Sequence, residues 1–206
     1  MVRNGESNKM PIFIKNDRAV FFIHIPKTGG SSLEKMFANN GWTESSGYGS
    51  IKNGQQHDRR STWKRIVPDD IEKIAIVRNP ITRLLSEMRG DQAYRDLINP
   101  WNADECLNYF FQLLSQGNNK SGHLSRLVEF IDPNNLKQEN VNVFKFEDKD
   151  HRNKIMEKYD LVGEYPHLTG DTYAPKLDYS LSNESLSKIF NYYKEDFYHF
   201  YPEHLK

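Results

Sequence analysis

Two apolar runs, each stopped at a proline and followed by a helical pattern, restrict the architecture of this chain more than any other feature. "AVFFIHI" (19–25) stops at Pro26, and "IEKIAIVR" (71–78) stops just ahead of Pro80. A short run apolar at nearly every position suits a strand covered on both faces, as in a parallel sheet. Behind the first run, "SSLEKMFANN" sets Leu33, Met36 and Phe37 at helical spacing, with Ser31 or Ser32 positioned to cap. Behind the second, "ITRLLSEMRGDQ" reads as a helix. Strand, turn and helix in that order, twice, predict an α/β domain of three layers: a mainly parallel central sheet flanked by helices.

The remaining patterns fit the same class. Residues 41–63 are rich in Gly, Ser, Asn and Gln and read as a mobile loop, with "STWKRIVPDD" ending it as a short helix. "NADECLNYFFQLLSQG" and "GHLSRLVEFI" read as helices, the first with Asn102 as cap and acidic residues in its first turn. "VNVFKFE" (141–147) alternates like a strand, and "HRNKIMEKYDL" resumes helix. "NESLSKIFNYYKEDFYHFY" sets Leu186, Ile189, Phe190, Tyr193, Phe197 and Phe200 on one face of a terminal helix. Residues 1–18 are polar and aperiodic, a flexible arm ahead of one domain over 19–206.

Composition removes several function classes. Lys plus Arg and Asp plus Glu both number 28, so there is no global field to draw the chain to nucleic acid or a polyanion, and anion recognition is local. Cys106 is the single cysteine, which excludes an intramolecular disulfide and a multi-cysteine metal site and fits a buried helical position. No apolar stretch approaches the roughly 20 residues of a spanning helix, so the expectation is a soluble, cytoplasmic protein.

The turn "HIPKTGGSS" after the first strand has the make-up of an anion cradle. Successive backbone N–H groups at a strand-to-helix turn converge on a phosphate, and Gly29 and Gly30 permit close approach. Thr28, Ser31 and Ser32 add hydroxyl donors, and Lys27 places a point charge where a leaving oxygen would develop its own. A tight turn with a solvated lysine would share this composition. A nucleoside-triphosphate loop, G-x-x-x-x-G-K-[ST], does not occur, because here the lysine precedes the glycines.

"HIPKTGGSSL" resembles the 5′-phosphosulfate loop of sulfotransferases that use 3′-phosphoadenosine 5′-phosphosulfate, above all the carbohydrate and Golgi-type branch. "IAIVRNPITRLLSEM" resembles that family's second signature, an Arg ending a strand and a Ser eight residues on, which hold the donor's 3′-phosphate. These are Arg78 and Ser86; a salt bridge is the plainer alternative for Arg78, and for Arg83 an acidic partner is expected. The resemblance implies a P-loop-like fold, Lys27 and residues 27–32 on the 5′-phosphosulfate, no metal, and a saccharide or other hydroxyl-bearing small molecule as acceptor. "EYPHLTGDTY" departs from the family's Pro-x-x-Asn pattern, with Thr169 in the asparagine's place.

Sulfuryl transfer needs a base for the acceptor hydroxyl, and His is the commonest. His24 lies within the strand and reads as a satisfied core residue or one that supports the site from behind, whereas His57, between the two signatures, stands where related enzymes often place a histidine. His57 is therefore the expected catalytic base beside Lys27, with Glu34, His123 and His167 in reserve. Arg59, Arg60, Lys64 and Arg65 form either a solvated face or a grip on an anionic acceptor. The rivals are a donor-binding module without catalysis and, behind it, a nucleotide-dependent kinase.

Overall fold

The computed structural model of the chain describes residues 11–45, 57–90, 103–119, 122–148, 150–166 and 180–205. The chain divides into two units, Met1–Val77 with Leu127–Leu168 and Arg78–Arg126 with Thr169–Lys206.

The first unit holds a five-stranded sheet. Its strands are β1 (Ile12–Lys15), β2 (Arg18–Ile23), β3 (Thr43–Ser45), β4 (Glu72–Val77) and β5 (Val141–Lys145), in the order β3-β1-β2-β4-β5. The apolar runs form β2 and β4, which pair in parallel with Ile23 opposite Ala75, and β4 pairs in parallel with β5. Residues 12–15, assigned by sequence to a flexible arm, instead form β1, antiparallel to β2. Ile12 and Phe13 are buried there, and four residues are too few for a periodic signal.

Alternation along the strands explains why both faces are apolar. Phe13, Val20, Phe22, Ile74 and Ile76 point to one face, where they meet Leu33, Met36 and Phe37 of α1 (Gly30–Asn39) and Ile155 of α5 (His151–Lys158). Phe13 stacks on Phe37 with ring centroids 4.6 Å apart. The alternate residue Phe21 meets Trp63 of α2 (Arg60–Trp63) at 6.1 Å, and the Trp63 indole donates to the Phe130 carbonyl at 2.8 Å. Lys73, opposite Phe21, is fully buried yet donates to the carbonyls of Pro68 and Ile71, both at 2.8 Å. Each covered face removes apolar area from water at about 25 cal/mol per Å².

The second unit contains α3 (Pro80–Gly90), α4 (Ala103–Ser115), α6 (Asn183–Tyr192) and α7 (Lys194–Phe200). Asn79 starts α3, its side-chain oxygen accepting from Ile81 N–H at 2.9 Å, and Ser182 starts α6 by accepting from Ser185 N–H at 3.2 Å. The expected terminal helix is two helices broken at Tyr193 (φ −97°), whose hydroxyl donates to the Leu124 carbonyl at 2.8 Å. "GHLSRLVEFI" is not a helix: Gly122 takes φ 72°, and only Leu127–Glu129 make a 3-10 turn. Asn102, the proposed cap of α4, lies outside the described residues. Among the described residues no helix is long and apolar enough to cross a membrane.

Candidate active site

After Ile23 the chain leaves the sheet through a three-residue turn in which Ile25 N–H bonds to the Ile23 carbonyl at 3.1 Å. Lys27 then adopts φ 65° and Gly29 φ 87°. The left-handed region is costly for any residue with a β-carbon, so Lys27 holds local strain. Thr28 is buried and turns its hydroxyl inward, donating to the Ile25 carbonyl at 2.9 Å. What Thr28 offers a ligand is therefore its backbone N–H rather than the hydroxyl read from sequence.

The helix begins at Gly30, and its N-cap is Gly29 with no side-chain cap, so the expected serine cap does not form. A left-handed turn is needed to enter α1 at this angle, and glycine supplies it. Ser32 and Leu33 N–H return to the Gly29 carbonyl at 3.2 and 3.4 Å. Among the described residues no backbone carbonyl accepts from the N–H groups of Thr28, Gly29, Gly30 or Ser31. The result is a concentration of donors at a helix N-terminus, where the dipole also favours an anion. Phe146 packs over this turn, for a β-carbon on Gly29 would lie 3.1 Å from its ring.

Three titratable side chains flank the turn. His24 is 4% exposed, and its Nδ1 lies 2.6 Å from Glu34 Oε1 on α1. Its other ring nitrogen faces Gly30, where a β-carbon would come within 2.4 Å of it. His57 closes on the same place: its Nδ1 lies 2.9 Å from the His24 carbonyl oxygen, and the two rings meet edge-on with centroids 4.9 Å apart. A carbonyl only accepts, so Nδ1 carries the hydrogen and the lone pair of the neutral His57 ring sits on Nε2. The structure thus brings His57 beside the Lys27–Ser32 turn, together with Glu34 and with His24, which the sequence reading placed in the core or behind the site.

The second signature lies in the other unit. Arg78 donates from Nε to Thr82 Oγ1 at 3.2 Å, and Ser86 is half-buried on α3. Among the described residues Arg83 does not find the expected acid. It is fully buried, donates to the Ser125 carbonyl, and lies 5.6 Å over the Tyr193 ring, while its Nε and Nη1 have no hydrogen-bond partner among those residues. His123 Nδ1 sits 2.9 Å from both carboxylate oxygens of the buried Glu87. Nearby on α4, Cys106 is buried as expected, and burial, aided by the Glu87 charge, pushes its thiol up to about 12.

Three members of the basic run are tied to acids of their own unit, and Arg65 donates to the Ser61 carbonyl at 2.8 Å. Arg59 pairs with Glu129 at 3.1 Å, Arg60 with the buried Glu139 and with Asp132, and Lys64 with Asp69 and Glu139. The Glu139 bond holds the Arg60 guanidinium above its ordinary pKa. A grip on an anionic acceptor would have to break these pairs, of which those to Glu129, Asp132 and Glu139 join the α2 region to the 129–139 segment. His167 and Thr169 lie outside the described residues.

Residues 10–108 match the model of a family described as the sulfotransferase family. The match takes in the Lys27–Ser32 turn, Glu34, His57, Arg78 and Ser86, and ends before His123. No curated protein and no solved structure matches the chain.

Proposed function

We propose, from the match of residues 10–108 to the sulfotransferase family model, that the chain moves a sulfuryl group from 3′-phosphoadenosine 5′-phosphosulfate to a hydroxyl acceptor, a saccharide. The observation that carries the reading is the row of N–H groups from Thr28 to Ser31 beside Lys27, which donate to no backbone carbonyl among the described residues. Such a row fits a phosphosulfate, whose oxygens need several donors from one side. When bound, the donor supplies an activated sulfuryl group on a phosphate that can leave.

In this reading the N–H row and Lys27 hold the 5′ end, and Lys27 compensates the charge growing on the departing oxygen. His57 takes the acceptor's hydroxyl proton on Nε2, since its Nδ1–H is committed to the His24 carbonyl. Arg78 and Ser86 hold the 3′-phosphate, an assignment supported by the "VRNPITRLLS" signature. The saccharide acceptor is supported by the likeness of "PKTGGSS" to the carbohydrate branch.

Transfer of labelled sulfate to a panel of glycans, with binding of the desulfated nucleotide measured in parallel, tests the proposal. Binding without transfer across the panel would leave a donor-binding module. Preference for ATP with magnesium over the 3′-phosphorylated nucleotide would overturn the donor assignment itself.

A further inference from the structure

Glu34 stands on the turn side of α1, and its carboxylate is engaged by His24. It is 2.6 Å from His24 Nδ1, and an ionised carboxylate only accepts, so His24 Nδ1–H donates to it in a short charge-assisted bond. The spacing explains the contact. Gly30 and Glu34 are four residues apart on one helix and so lie on one face, and side chains lean toward the helix N-terminus, toward the end of β2. The His24 ring fills the room left by the missing Gly30 side chain, with Phe22 at 5.1 Å and His57 at 4.9 Å on its other sides.

His24 is also the middle residue of the turn closed by Ile25 N–H on the Ile23 carbonyl. That turn takes the His24 carbonyl out of the strand ladder and makes it the acceptor for His57 Nδ1–H. One residue therefore does two things: its side chain is clamped by Glu34, and its main chain sets the tautomer of His57.

We propose that Glu34 and His24 are positioning residues that hold His57 in the Nδ1–H tautomer with Nε2 as proton acceptor, and that Glu34 is not itself the base. The inference rests on His57 being the base for transfer. It differs from a merely structural role in what it predicts for the imidazole nitrogens.

The test uses the full chain labelled with ¹⁵N, reading the His57 tautomer by long-range ¹H–¹⁵N correlation, with transfer kinetics alongside. The parent protein should show Nδ1–H at His57. Glu34→Gln keeps an acceptor for His24 and should keep that tautomer, losing less than about tenfold in kcat. Glu34→Ala should give mixed tautomers and a loss of about ten- to a hundredfold in kcat, the scale of a displaced catalytic group, with affinity for the desulfated nucleotide nearly unchanged. Should Glu34→Ala fold poorly, His24→Asn removes the ring while keeping a donor for Glu34, and the same mixture is expected.

Retention of the single Nδ1–H tautomer in Glu34→Ala or His24→Asn would overturn the inference. So would a Glu34→Gln loss as deep as that of Glu34→Ala, which would make Glu34 the proton acceptor. If the parent neither transfers sulfate nor binds the desulfated nucleotide, the sulfotransfer reading fails, and the tautomer comparison still decides whether Glu34 and His24 position His57.

Discussion

Gly30→Ala sets two effects of known size against each other. Alanine is the better helix former by about 1 kcal/mol, so on propensity alone the substitution at the first residue of α1 stabilises. Its β-carbon, however, would lie 2.4, 2.6 and 2.9 Å from Nε2, Cδ2 and Cε1 of His24. Those are three atoms of a rigid ring, which is 4% exposed, backed by Phe22 and tethered to Glu34, so it cannot swing into solvent. Overpacking costs about 1–3 kcal/mol and losing a hydrogen bond to a charged group about 1.5–3 kcal/mol. The net expectation is a destabilisation of about 2–4 kcal/mol, or about 4–16 °C in a chain of this size. Chemical and thermal denaturation measure it, and a double-mutant cycle with His24→Ala locates the cause. With the ring gone, Gly30→Ala should become neutral or mildly stabilising. A neutral effect in the parent, or an equal cost in the His24→Ala background, would refute the clash.

Lys27→Gly relieves the left-handed strain at φ 65° and should raise stability by about 1 kcal/mol while abolishing sulfate transfer, which denaturation and turnover assays would show moving in opposite directions. Arg78→Ala should weaken binding of the 3′-phosphorylated nucleotide by about 1.5–3 kcal/mol, roughly ten- to 150-fold, and leave adenosine 5′-phosphosulfate, which lacks the 3′-phosphate, unaffected in calorimetry. Burial holds the His151 imidazole below its ordinary 6.5, so the unfolded chain binds that proton more readily. The contribution to stability is thus complete above 6.5 and falls as pH drops through 6.5 toward the folded value; a pH series of denaturation midpoints should lose part of its acid slope in His151→Gln. Cys106, with its thiol pushed up to about 12, should resist iodoacetamide at pH 8 in the native protein and react promptly in urea.

The parallel part of the sheet was legible because β2 and β4 are buried on both faces, which leaves a continuous apolar run that no amphipathic helix would show. β1 and the break at Tyr193 were not, since an edge strand of four residues is set by its partner, and Tyr193 bends a pattern that stays apolar on both sides. In the site, composition pointed to an anion cradle as an expectation, but it could not say which way a hydroxyl or a cation turns. Thr28 faces inward and Arg60 faces Glu139 because local hydrogen bonds outweigh exposure to a ligand. Arg83 shows the same limit more sharply, since charge patterning seeks an acid and the fold provides a carbonyl and an aromatic face.

His24 was legible in the sequence only in part. Its place inside an apolar run is that of a core residue, and burial at 4% agrees, yet burial and participation in a site are not alternatives. A buried imidazole must satisfy both nitrogens, and the partner within reach of Nδ1 is written four residues after the second glycine of the turn. In "HIPKTGGSSLE" the first His, the second Gly and the last Glu form one packing unit: the glycine makes room, the ring fills it and the carboxylate holds it. Because that same histidine presents its carbonyl to His57, a residue chosen for packing at the end of a strand also governs the proton-accepting nitrogen of the proposed base.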